Sequence, residues 1–199
     1  MLRLLLVRHG QTEWNALRRY QGHSDPPLNE TGLTQARQLA ARLQPLHIDL
    51  LFNSDLLRAV QTARILATGR DLPLQADPRL RELGFGLLEG HTFDEGLALW
   101  PEMIQKWVDD NNQPPQGGER MDALTHRVLQ FYDEMLPTCD GKTVLLVAHG
   151  GPLRVLLQHL LGAPARVWFN LEHASLSDIQ IDTRTTLINR LNDTGSVYT

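Results

Sequence analysis

Very little cysteine is available to this chain: Cys139 is the one thiol in 199 residues, so no internal disulfide can staple it. That argues against a secreted disulfide scaffold and for a reducing compartment. Long apolar runs are also missing. The opening MLRLLLVRHG holds four consecutive apolar residues, Leu4 to Val7, before Arg8, too few for a signal-peptide core. No later stretch approaches the ~20 residues of a membrane span. Excess positive charge is absent too. A formal charge of -4 and a pI near 6.0 exclude general affinity for nucleic acid or anionic lipid, both of which favour basic surfaces. No His-x-His or His-x-x-x-His spacing and no paired-carboxylate motif is present, so no metal site is expected. These exclusions leave a cytoplasmic protein whose anionic ligands, if any, are held by a few well-placed groups.

What is present begins with a repeated feature. LRLLLVRHG (Leu2 to Gly10) and TVLLVAHGG (Thr143 to Gly151) are each a short apolar run ending in His-Gly. Continuous β-favouring runs suit strands buried on both faces of a parallel sheet. Two such neighbours bring His9 and His149 together at their carboxyl ends, where open α/β sheets bind ligands. The stripe Leu33, Ala36, Leu39, Ala40, Leu43 predicts a helix from Glu30 to Leu43, and a strand is expected at Ile48 to Phe52. Asn53, Ser54 and Asp55 offer N-cap chemistry for a helix with inner face Leu56, Ala59, Val60, Ala63 and Leu66. Arg58 falls in its first turn.

Residues 84–118 are less regular. A helical stretch from Phe93 to Val108 is interrupted at Pro101 and followed by the loop NNQPPQGG, as in a cap over a site. Met121, Leu124, Val128, Phe131 and Met135 repeat at helical spacing, and Pro152 to Leu161 predicts another helix. The end alternates like an antiparallel hairpin. The expected fold is α/β: one domain over 1–199, a mostly parallel sheet covered by helices on both faces, a helical cap insertion at 84–118, and a C-terminal antiparallel hairpin.

Taken singly, the polar residues have ordinary readings. Arg58 could pair with Asp55 on its own helix, Glu82 could be a solvated carboxylate beside Arg79 and Arg81, and Asn15 could be turn chemistry. Ser54 lacks the Gly-x-Ser-x-Gly setting of a hydrolase nucleophile. Arg8, however, supplies a permanently charged fork suited to phosphate, directly beside His9.

Six segments in order, LVRHGQTEWN, QGHSDPPLNETGLTQA, SDLLRAVQTA, LRELGFGLLEG, PQGGE and VAHGGPLR, resemble the histidine phosphatase superfamily, the phosphoglycerate-mutase-like enzymes. The resemblance covers most of the chain. It implies a phosphate pocket with His9 as nucleophile, and Arg8, Arg58 and His149 around the transferred phosphoryl group. Asn15, Gln21, Gly22 and Gly150 would add contacts, and Glu82 would be the proton donor. No cofactor is implied. The partner is a small-molecule phosphate monoester, with a homodimer left open. Asn53, Arg120 and His173 stand where the family more often has serine, serine and asparagine.

Three functions share these residues: hydrolysis of a phosphate monoester, isomerisation by a phosphoglycerate mutase, and phospholigand binding without turnover. Retention of Arg8, His9, Arg58, Glu82 and His149 argues against the last. From Phe85 to Gly118 one lysine, Lys106, stands against Glu89, Asp94, Glu95, Glu102, Asp109 and Asp110. That balance disfavours a small polyanionic substrate, and Leu87, Leu88, Phe93, Trp100 and Trp107 suggest a bulky, neutral and partly apolar leaving group. FGLLEG and PPQGGE are similar to α-ribazole phosphatases of cobalamin assembly and to broad-specificity phosphatases. The expected activity is therefore phosphatase rather than mutase.

Overall fold

A computed structural model describes residues 1–165, 167–182 and 184–195. Its centre is a six-stranded sheet in the order β3-β2-β4-β1-β5-β6: β1 (Leu2–Arg8), β2 (Leu50–Asn53), β3 (Leu74–Ala76), β4 (Thr143–Ala148), β5 (Leu176–Ile181) and β6 (Thr186–Asp193). The first four are parallel; β5 runs antiparallel to β1 and forms the hairpin with β6.

The two central strands show why continuous apolar runs were needed. Leu4, Leu6, Val144, Leu146 and Ala148 point into one core, while Leu5, Val7, Leu145 and Val147 point into the other. Side chains alternate across a sheet, so a strand covered on both sides must be apolar at every position. Truncating Leu145, fully buried, to alanine should cost roughly 2–5 kcal/mol. One face is covered by α2 (Glu30–Leu43) and α3 (Leu57–Leu66), through Leu39, Leu43, Ala59, Ala63 and Leu66. The other is covered by α6 (Met121–Met135) and α7 (Gly150–Leu160), through Leu124, Val128, Phe131, Leu153 and Leu156.

The short α1 (Glu13–Ala16) follows β1, and α4 (Phe93–Leu99) and α5 (Pro101–Asp109) lie between β3 and α6. The break falls at Trp100, with Pro101 at the first turn of α5, a position that loses no intrahelical donor. Thr92 and Glu95 form a reciprocal cap at the start of α4.

Three local expectations need correction. The strand expected at Ile48 to Phe52 is Leu50–Asn53. The N-cap of α3 is Leu56, which makes no side-chain cap bond; instead Leu57 N–H donates to Asp25 Oδ1 at 2.6 Å and Leu56 N–H to Ser54 Oγ at 3.3 Å. Asp55 is drawn away by Arg81 at 2.6 Å, so the cap comes from a loop distant in sequence. Finally, α7 starts at Gly150 rather than Pro152, with His149 as its N-cap residue. Its free N–H groups therefore open onto the ends of the central strands.

Candidate active site

Register places the two histidines. Arg8 pairs with Ala148 across β1 and β4, His9 N–H donates to Ala148 O at 2.9 Å, and the imidazole centroids of His9 and His149 lie 5.0 Å apart. Both rings are buried. Nδ1 of His9 lies 2.7 Å from Gly10 O. A carbonyl only accepts, so Nδ1 carries the proton and Nε2 keeps its lone pair. Burial, then Arg58 and Arg8, hold the pKa of His9 well below 6.5, which keeps that lone pair available at neutral pH. Gly10 is held by its own N–H, which donates to Thr62 Oγ1 at 3.1 Å. A side chain there would strike Gly32 O at 2.5 Å.

His9 borders a cavity of about 180 Å³ whose other walls include Arg8, Asn15, Gln21, Gly22, Arg58 and Glu82. Seven of the residues implied by the resemblance thus converge on one small space, and His149 stands behind it against His9. Arg58 does not pair with Asp55. It is fully buried, donates to Ser24 O at 2.9 Å and Gly22 O at 2.8 Å, and has Asp25 only at 3.9 Å. Burial lowers its pKa to about 10, so it remains cationic at neutral pH. Arg8 donates to Leu171 O at 2.6 Å. Nε of each arginine is buried without a hydrogen-bond partner, leaving two charged donors unsatisfied beside the cavity.

Asn15 performs turn chemistry and still reaches the site. Its Oδ1 accepts from Thr12 N–H, and its own N–H donates to Thr12 Oγ1, which leaves the amide NH₂ for the cavity. Gln21 Oε1 accepts from Thr12 Oγ1 at 3.0 Å. Gly22 adopts φ +53°, and a Cβ there would fall 2.8 Å from Phe85 N, so glycine is required where the loop turns under Arg58.

Glu82 is not a free carboxylate in a charged loop. Its Oε1 accepts from Leu83 N–H and Gly151 N–H, both at 2.9 Å, leaving Oε2 to handle a proton. Its carbonyl accepts from Arg127 at 2.9 Å and from His23 Nε2 at 3.0 Å. Arg127 also binds Arg79 O, Arg81 O and Glu119, fixing the whole turn that presents Glu82. The missing side chain at Gly151 makes room for this carboxylate, because a Cβ there would lie 2.3 Å from Glu82 Oε1 and push it aside. Gly150 keeps an N–H that the helix does not use.

Sequence reasoning overlooked several supports. Ser54, dismissed as a nucleophile, bonds His149 Nε2 at 2.8 Å while its Oγ also accepts from Leu56 N–H at 3.3 Å, so it ties that imidazole to the start of α3. Nδ1 of His149 is buried and unpartnered. Burial and then Arg58 hold the His149 pKa well below 6.5. Arg127 carried no signal, because three of its acceptors are main-chain oxygens of Arg79, Arg81 and Glu82, 45 to 48 residues away in sequence. Arg19 also borders the small cavity, bound to Glu95 at 2.8 Å and to Gly90 O.

A second cavity of about 460 Å³ shares Arg8, Glu82, Tyr20 and Phe85 with the first, and is walled further by Phe93, Trp107, Met121, Arg154 and Trp168. Tyr20, Phe85 and Trp107 pack edge to face or tilted, 4.8–5.9 Å apart. Among the described residues, none of the six acidic groups of 84–118 borders this cavity, nor does Lys106. Glu89, for example, is turned to His23 N–H and Ser24 N–H. The charge argument from composition therefore does not apply, whereas the aromatic one is borne by Phe93 and Trp107 but not by Leu87, Leu88 or Trp100.

A profile described as Histidine phosphatase superfamily (branch 1) matches residues 4–194. Phosphoserine phosphatase 1 of Hydrogenobacter thermophilus is 35% identical over 197 residues, 98% of this chain and 93% of that protein. The Yersinia pestis protein named Probable phosphoglycerate mutase GpmB is 42% identical over 186 residues, 90% of this chain and 85% of its own. The crystal structure of the alpha-ribazole phosphatase from Shigella flexneri superposes with a TM-score of 0.90 at 32% identity, covering 96% of each chain. With nearly its whole length matched and two buried histidines meeting at the ends of its central parallel strands, the chain belongs to the histidine phosphatase superfamily.

Proposed function

We propose that the protein hydrolyses a phosphate monoester through a phosphohistidine on His9. The observation that carries this is the pairing of a neutral, unblocked Nε2 on His9 with two buried arginine Nε–H groups that have no partner. Phosphoryl transfer demands in-line positioning and neutralisation of charge on the equatorial oxygens. Arg8 and Arg58 supply that charge, His149, the amide of Asn15 and N–H of Gly150 supply hydrogen bonds, and Gln21 and Gly22 shape the floor. His9 Nε2 attacks phosphorus and the ester P–O bond breaks. Glu82 then gives its proton to the leaving oxygen, which departs as the alcohol. In the second half, the Glu82 carboxylate takes a proton from water as that water attacks phosphorus, the P–N bond breaks, and His9 is regenerated with inorganic phosphate.

The leaving group belongs in the aromatic cavity, with 84–118 acting as a cap. Burying roughly 100 Å² of apolar surface there contributes about 2.5 kcal/mol. The test is phosphate release from p-nitrophenyl phosphate, α-ribazole phosphate and 3-phosphoglycerate, with a mutase assay in parallel. Release is expected. Mutase turnover exceeding hydrolysis on 3-phosphoglycerate would replace this reading with the mutase one, and the absence of release from every ester would leave ligand binding without turnover.

A further inference from the structure

Glu89 takes no part in the chemistry above, yet four donors converge on its carboxylate. Oε1 accepts from His23 N–H and Phe85 N–H, both at 3.0 Å. Oε2 accepts from Ser24 N–H at 2.8 Å and from Ser24 Oγ at 2.6 Å. None of the four is a basic side chain. Burial by itself would raise the pKa of Glu89, but these bonds, led by that from the Ser24 hydroxyl, outweigh it and hold the group below 4.5. Glu89 is therefore ionised at neutral pH.

Three of the four donors belong to the loop that holds Arg58. Arg58 donates to Gly22 O at 2.8 Å and to Ser24 O at 2.9 Å. The Gly22 carbonyl and the His23 N–H are the two ends of one trans peptide, and they point in opposite directions. That peptide stands between a carboxylate and a guanidinium, with its N–H on Glu89 and its C=O on Arg58. Its dipole is aligned with both charges, and hydrogen bonds to ionised groups are roughly twice as strong as neutral ones. Reversing the peptide would turn its oxygen onto the carboxylate and its N–H onto the guanidinium, so the two charges together select one loop conformation. A Cβ on Gly22 would collide with Glu89 Oε1, so the glycine also lets the carboxylate approach.

The spacing has a chemical use. A carboxylate paired directly with Arg58 would place negative charge beside a phosphoryl group and repel it. Asp25 comes no closer than 3.9 Å and takes Leu57 N–H instead. Glu89 borders neither cavity. It can orient the guanidinium through a peptide without entering the pocket, while Nε of Arg58 stays unpartnered. We infer that Glu89 is a positioning residue for Arg58, acting through the Gly22–His23 peptide to set the guanidinium for the phosphoryl oxygens. This rests on the reading of the pocket as the site of phosphoryl transfer.

The experiment is a double-variant cycle of Glu89→Gln and Arg58→Gln. It is read by kcat and KM on p-nitrophenyl phosphate and by calorimetric binding of inorganic phosphate. Glutamine keeps the shape of Glu89 but loses its charge and turns an NH₂ toward donors. Glu89→Gln should lower kcat by about 10- to 100-fold, the range for hydrogen bonds to a charged group. KM should rise less, because Arg58 meets charge that develops on the equatorial oxygens. In the Arg58→Gln background the same substitution should cost no more than about twofold, since nothing is left to position. Ser24→Ala removes only the hydroxyl bond to Glu89 and should follow the same pattern with smaller losses, so the cycle survives a Glu89→Gln protein that does not fold. Losses that multiply in the double variants, or a folded Glu89→Gln enzyme within about twofold of wild type, overturn the inference. If the wild type hydrolyses no ester, the phosphatase reading fails and the phosphate-binding cycle still decides on Glu89. Binding weakened by each single variant and no further by the double supports its role; binding untouched by Glu89→Gln overturns it.

Discussion

Acid should destabilise this protein through its buried histidines, and His173 allows the size of the effect to be worked out. Its ring centroid is 6.1 Å from that of His9. Burial, and then the Arg8 guanidinium, push its pKa down from 6.5 to about 3. The sign follows from linkage. Below pH 6.5 the unfolded chain takes up a proton that the folded chain refuses, so stability falls as pH drops and keeps falling until pH nears 3. Between about pH 7 and about pH 5, one such histidine costs about 2 kcal/mol. His9 and His149, both held well below 6.5 by burial and Arg58, add in the same direction. A small domain has roughly 5–15 kcal/mol in total, so the three together are a large share. The assay is urea unfolding of wild type and His173→Asn at both pH values. Wild type should lose about 2 kcal/mol more on acidification than the variant. The double difference cancels what the substitution does at neutral pH and what the carboxylates contribute. Equal losses would refute the claim that His173 is kept neutral by its surroundings.

Other expectations concern the reaction itself. His9→Ala should lose at least about 10³-fold in kcat, and rapid quenching of the wild type with labelled substrate should trap acid-labile label on His9; full activity of the variant would exclude the mechanism. Glu82→Gln should damage alkyl phosphates far more than p-nitrophenyl phosphate, whose phenolate departs with little help, and equal losses on both would assign Glu82 a structural role. Ser54→Ala removes the hydroxyl bonded to His149 Nε2, and should lower kcat about 10-fold or more with a smaller change in KM; a pure KM effect would show that this bond does not position His149 for the reaction.

The central strands, the helix from Glu30 to Leu43 and the approach of His9 to His149 could be read from the sequence, because each depends on a local pattern. A short apolar run rich in β-favouring residues suits a strand covered on both faces, and a 3.6-residue stripe suits a helix lying on one. Ordered motifs then singled out Arg8, Arg58 and Glu82, which line the same small cavity. Their partners were beyond such patterns. Arg58 is buried against the carbonyls of Gly22 and Ser24, Asp25 rather than Asp55 caps α3, and Glu82 is oriented by Gly151, 69 residues away. Charges summed along 84–118 pointed to an acidic cap because composition does not say which way a side chain faces. Folding keeps those carboxylates off the walls of the aromatic cavity and stacks Arg154 on Trp168 there instead. Hydrophobic periodicity is a property of neighbours in sequence. Electrostatic complementarity belongs to neighbours in space, and only the tertiary structure decides who they are.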